Sequence, residues 1–256
     1  MVSQIHASCN AAVRPIAIIS ENMNAIPEVR ESLARYVFEE IVPQYAGFDP
    51  AHREDHASTV IVQAMELYGR MEPWLAEQTG EVSAYWKSLI PHSGSMDREI
   101  LLAAAACHDL GLKNGRERHH LDSGHIIRND SRMTEWFSAE QIEIIAQAAE
   151  DHRASGKSDP RSIYGMIVAE ADRVIDGETI IRRTLQYGFT HYPSLDREAH
   201  IKRAVEHLRE KYGRGGYLKL WIPWSDNAIR LSALQDTIAD DSAIYRETAR
   251  IIDSLV

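Results

Sequence analysis

The chain has only two cysteines in 256 residues, Cys9 and Cys107. Two thiols cannot build a disulfide framework, and Cys107 lies in the apolar run 101–107, so it reads as a buried thiol of a reducing compartment. Long hydrophobic runs are also missing. No apolar stretch approaches the ~20 residues that a membrane span requires, so no membrane partner is expected. The N-terminal stretch lacks a basic start, and its short apolar piece, 13–19, is broken by Arg14 and Pro15. A secretory leader is therefore not expected, and the cytoplasm is the expected location. Positive charge is in deficit, with 28 Lys and Arg against 38 Asp and Glu and a formal charge of -10. Such a surface repels phosphate backbones over most of its area, so nucleic acid is not an expected partner, although a local basic pocket stays open. Strand patterns are scarce, with 13–19 and 217–222 the sole candidates. No internal repeat, low-complexity block or linker interrupts the chain.

What is present is helical periodicity. Apolar positions recur at three and four residues through Val29, Leu33, Val37 and Ile41 after Pro27, and again over about 53–71 and 72–89, the latter interrupted by Gly80. Asp97 and Gly111 bracket a very apolar helix over about 97–109. Ser138 followed by Gln141 is a capping-box pattern ahead of a helix that ends near His152. Asp159 and Pro160 precede the next helix as cap and first-turn proline. Further helical patterns cover about 178–189, 195–212, 226–237 and 240–255. The expected architecture is an all-α, single-domain helical bundle over 25–256. Residues 1–24 form a tail or arm, 50–176 a motif-bearing core, and 178–256 C-terminal helices packed on that core.

Chemistry concentrates in the histidines and in two aspartates. His108 and Asp109 sit at the end of the most apolar helix, where polar groups are costly unless paired or bound to metal. A helix-end His and a capping Asp are the ordinary alternative. His56, His120, His152 and Asp172 each fall on a different helix or helix end, and imidazoles and carboxylates converging from several helices are how such bundles hold first-row metal ions. Among the neighbours, His119 points about 100° away from His120 and reads as a surface residue. Gly124, four residues after His120, shares its face and favours His120. His125 reads as a surface or supporting residue, and His52, just after Asp49 and Pro50, stays a lesser candidate.

The order His, His-Asp, His-x-x-x-Gly, His, Asp resembles the HD superfamily of metal-dependent phosphohydrolases over about residues 50–176. That resemblance implies His56, His108, Asp109 and Asp172 around one divalent metal ion. His120 and His152 would join Asp109, as a bridging carboxylate, around a second, and a centre of one ion or two stays open. Mn, Fe, Co, Ni, Zn and Mg remain open as the metal. It also implies hydrolysis of a phosphate ester, with a small phosphorylated molecule or nucleotide as substrate. Asp109 and Asp151 are the candidate catalytic carboxylates, Asp151 by orienting a water or an imidazole. Arg153, Lys157 and Arg161 follow His152 closely and are the candidate phosphate contacts, with Arg116 and Arg118 a weaker pair; a solvated basic loop is the plain alternative. Trp221 and Trp224 read as packing residues. The chain lacks the Gly-Tyr-Pro sequence of the cyclic-di-GMP phosphodiesterases after Asp109 and the second acidic pair of the alarmone hydrolases. Mixed-valence di-iron oxygenases resemble the same ligand set and are the rival enzyme class. The oligomeric state, a homodimer included, is left open.

Overall fold

The computed structural model describes residues 28–49, 51–91, 95–153, 158–173 and 175–255. Among them every regular element is helical, which establishes the all-α class. The chain divides into two compact units. The first takes in Met1–His152 and Pro160–Val168, the second Arg153–Asp159 and Ala169–Val256.

In the first unit α1 (Glu31–Tyr36) runs into a π-helical turn, Val37–Ile41, and a 3-10 turn, Val42–Gly47. The long α2 (Glu54–Ala76) and shorter α3 (Gly80–Ser88) follow, then α4 (Arg98–Cys107), α5 (His119–Asn129) and α6 (Ala139–Glu150). α7 (Ile163–Ala171) passes from the first unit into the second. The sequence pattern places a break near residue 72, but α2 continues through Pro73 and ends at Ala76. Pro73 can give no N–H to the Gly69 carbonyl, but only the last turn of the helix lies beyond that missing bond.

α4 is the hub. Every residue from Ile100 to Cys107 is buried, four of them consecutive alanines with no exposed surface at all. Small side chains let α2 and α6 pack close against α4, and each fully buried Leu or Ile beside them contributes roughly 1.5–3 kcal/mol. The Asp97 carboxylate caps α4 by accepting from the N–H groups of Glu99 and Ile100. The capping box read in the sequence is formed at Ser138 and Gln141.

The second unit has α8 (Gly177–His191), α9 (Arg197–Tyr212), α10 (Asn227–Ala239) and α11 (Asp241–Asp253). Their apolar faces meet in one core that includes Ile181, Leu185, Val205, Leu208, Ile244 and Ile251. Asp176, Asp196 and Asp240 cap α8, α9 and α11 by accepting from the N–H three residues on. The strand candidate 217–222 is irregular rather than extended in a sheet. The other, 13–19, lies outside the described residues.

Candidate metal centre

A helix of α4's length leaves its last carbonyls without intrahelical partners, and this chain uses two of them to build a site. The Ala105 carbonyl lies 2.8 Å from Nδ1 of His108. The Ala106 carbonyl accepts from the hydroxyl of the fully buried Tyr45 at 2.8 Å, and that hydroxyl in turn accepts the Asp109 N–H at 3.2 Å. The His-Asp pair is thus fixed at both backbone and ring.

The same device recurs twice. His152 places Nδ1 2.5 Å from the Ala149 carbonyl, and His119 places Nδ1 2.7 Å from the Arg116 carbonyl. A carbonyl can only accept, so in each ring Nδ1 holds the proton and Nε2 of the neutral imidazole presents a lone pair. These lone pairs converge. Nε2 of His108 is 3.3 Å from Nε2 of His56, and Nε2 of His119 is 3.2 Å from Nε2 of His152. In the second pair both Nδ1 atoms face a carbonyl, so two acceptors face each other there and repel unless a cation or a proton lies between them.

Asp109 joins the pairs. Its Oδ2 lies 3.4 Å from His108 Nε2 and 3.7 Å from His56 Nε2, while Oδ1 lies 3.3 Å from His152 Nε2 and 3.4 Å from His119 Nε2. Ions that bind nitrogen and oxygen at ~2.0–2.2 Å with donor angles near 90–110° separate their donors by about 3.0–3.6 Å. Five of the six edges fall in that range and the sixth, His56 to Asp109 at 3.7 Å, lies just above it, so the donors fit two metal positions that share one carboxylate: His56, His108 and Asp109, and Asp109, His119 and His152. His108 is fully buried, and Asp109 and His152 are 3% exposed. Burial pushes the Asp109 carboxyl up; a proton on Nε2 of His108, or on those of His152 and His56, would supply the charge and hydrogen bonds that outweigh burial and hold the carboxyl well below the usual carboxylate range.

Four of the residues singled out in the sequence, His56, His108, Asp109 and His152, therefore come together. The fourth imidazole is His119, where the sequence pattern favours His120. The Gly124 argument fails for a physical reason: a Cβ there would stand 2.3 Å from Oε1 of Glu150. Gly124 thus makes room for a carboxylate of α6, not for the centre. The glycine that serves the centre is Gly111. A Cβ on it would strike the His119 carbonyl at 2.0 Å, and its N–H donates to Ser123 Oγ at 2.9 Å. The turn after Asp109 (Leu110–Asn114) lies flush on the first turn of α5, which brings His119 to Asp109. Tyr45, Gly111 and Ser123 carry no signal that links them to the doublet before the fold is known.

The remaining candidates have other surroundings. Asp151 accepts from the Arg161 backbone N–H at 2.7 Å and from Nε at 3.0 Å, and Arg161 also reaches Glu150 at 2.7 Å and the Gln147 carbonyl at 3.0 Å. The pair expected to act on water and phosphate is engaged with itself and with the end of α6. His52 places Nδ1 2.9 Å from Asp49, and its ring meets His56 edge-on with centroids 5.4 Å apart. Lys157 lies outside the described residues. Arg153 belongs to the second unit. Asp172, expected inside a helix, follows the last residue of α7 in a turn and also belongs to the second unit.

The family model described as HD domain matches residues 53–175. No curated protein and no solved structure matches the chain.

Proposed function

Because residues 53–175 belong to the HD domain family, we propose that this chain is a metal-dependent hydrolase of phosphate esters whose centre is built on Asp109. One observation carries the reading. Four imidazole Nε2 atoms surround the two oxygens of a single buried carboxylate, three of them on rings whose Nδ1 faces a backbone carbonyl, an arrangement complementary to cations. His56, His108 and Asp109 would hold one divalent ion, and Asp109, His119 and His152 a second. Asp172 joins the first on the order of the family's motif alone, and its own alanine variant tests it.

Divalent ions held there supply Lewis acidity, which lowers the pKa of water towards ~7 and neutralises phosphoryl oxygens. The chain's own part is positional. The carbonyls of Ala105, Ala149 and Arg116 keep three imidazoles in the tautomer that donates a lone pair. Tyr45 fixes the peptide N–H of Asp109 and so the carboxylate's orientation. Burial of the cluster excludes bulk water from the donors, which strengthens every charge interaction made there.

The substrate is a small phosphorylated molecule. The first unit carries all of the chain's net charge, with 13 Lys and Arg against 23 Asp and Glu, which disfavours a long phosphate backbone as substrate. The test is a screen of phosphorylated metabolites under anaerobic conditions with protein reconstituted in turn with manganese, cobalt, nickel, zinc, magnesium or iron. Release of phosphate or of a phosphomonoester supports the reading. Turnover that appears only with iron and consumes oxygen, on a phosphonate or polyol, would replace hydrolysis by oxygenation.

A further inference from the structure

The four imidazoles of the centre are not equally covered. His108 and His152 are 0% and 3% exposed at the side chain, whereas His56 and His119 are 9% and 14% exposed. The cluster therefore opens towards solvent on the side of His56 and His119, and on that side one carboxylate ties the two edges together. Asp49 lies 2.9 Å from Nδ1 of His52, whose ring packs edge-on to His56. The same carboxylate accepts from Nη1 of Arg116 at 3.1 Å, and the carbonyl of Arg116 is the one that orients His119. Arg116 thus has its backbone in the centre's support and its guanidinium on the carboxylate that also meets His52, the ring packed on His56. The guanidinium is 65% exposed, and Asp49 takes up only one of its nitrogens.

Resting on the metal-centre reading above, we propose that Arg116 is the residue that receives the substrate's phosphate oxyanion, with Asp49 as the positioning residue that holds it at the mouth. Two features favour Arg116 over Arg161. Arg161 is taken up by Asp151, Glu150 and the Gln147 carbonyl. Arg116 is instead anchored by a single bond that leaves the planar fork able to make a bidentate contact, the geometry suited to phosphate. Asp49 also restricts an otherwise flexible side chain, so less rotamer freedom is lost when the anion arrives.

The probe is inorganic phosphate titrated calorimetrically into the metal-loaded protein, with metal content measured on each variant. Arg116→Ala should weaken phosphate binding by roughly 10- to 100-fold, the range of a charge-assisted hydrogen bond, without loss of metal. Arg116→Lys should recover part of it, because a point charge remains but the fork does not. Lys113→Ala, which removes a cation from the neighbouring turn, should change it less than about twofold. Asp49→Ala distinguishes positioning from charge. Removal of a negative charge alone would tighten anion binding, whereas loss of positioning should weaken it several-fold. Unchanged phosphate affinity in Arg116→Ala, loss of metal in that variant, or tighter binding in Asp49→Ala would each overturn the proposal. A wild-type protein that binds phosphate through Arg116 yet hydrolyses no ester would sink the hydrolase reading and leave this one standing.

Discussion

Both units of this chain are built from helices, but they obey different rules. The second has 15 Lys and Arg against 15 Asp and Glu, and its four main helices bury a continuous aliphatic core. Its ion pairs, such as Arg197 with Asp253 and Arg209 with Asp241, lie on the surface, where such pairs are worth ~0–1 kcal/mol. The first unit is formally -10 and buries a carboxylate among four imidazoles at the end of its buried hub helix, α4. It also departs from regular helix at the places that serve the centre: a 3-10 turn that delivers Tyr45, and another that seats Gly111 against α5. Such departures from local rules mark where a chain has given up simple packing for function.

That contrast can be broken by experiment, and the largest effect belongs to metal removal. Ions that bind only the folded state stabilise it by ~4 kcal/mol at a thousandfold excess over Kd. Chelation should therefore lower the melting temperature, and hydrogen exchange should show the loss in α4, α5 and α6 before α8 to α11. Equal loss in both units would erase the distinction. In the second unit, Leu208→Ala should cost roughly 2–5 kcal/mol, the range for emptying a buried leucine site. Denaturant unfolding gives this cost, and metal analysis of the folded variant should match the wild type.

A finer test lies within the centre. His119→Ala should lower the ion count by about one, whereas His120→Ala should leave it unchanged, both by metal analysis; the reverse result would restore the choice that Gly124 suggests. The smallest effect is expected from Tyr45→Phe. It removes a hydroxyl that both donates to Ala106 and accepts from Asp109, so the stability loss should be about 1–2 kcal/mol with the fold intact. Denaturant unfolding measures it, and a loss below the error of the method would remove Tyr45 from the support of the doublet.

Much of this was legible in the sequence because it depends on periodicity and caps. The apolar run ending at His108 identifies the hub helix, and Ser138 with Gln141 fixes the start of α6. The His108-Asp109 doublet is conspicuous because polar residues rarely close such a run. The choice between His119 and His120 was not legible, since adjacent residues at a helix start offer two faces about 100° apart. The selection is made by Gly111, eight residues earlier, through a backbone approach that no periodicity records. Asp151 and Arg161 look like site residues from their closeness to His152 in sequence, but their opposite charges find each other first.

The shared role of Asp109 is tested most directly by counting ions per chain in the wild type and in Asp109→Ala after reconstitution and desalting, with helicity followed by circular dichroism. Two ions are expected in the wild type and close to none in the variant, with helicity retained, because one carboxylate serves both positions. Two ions retained in Asp109→Ala would contradict it.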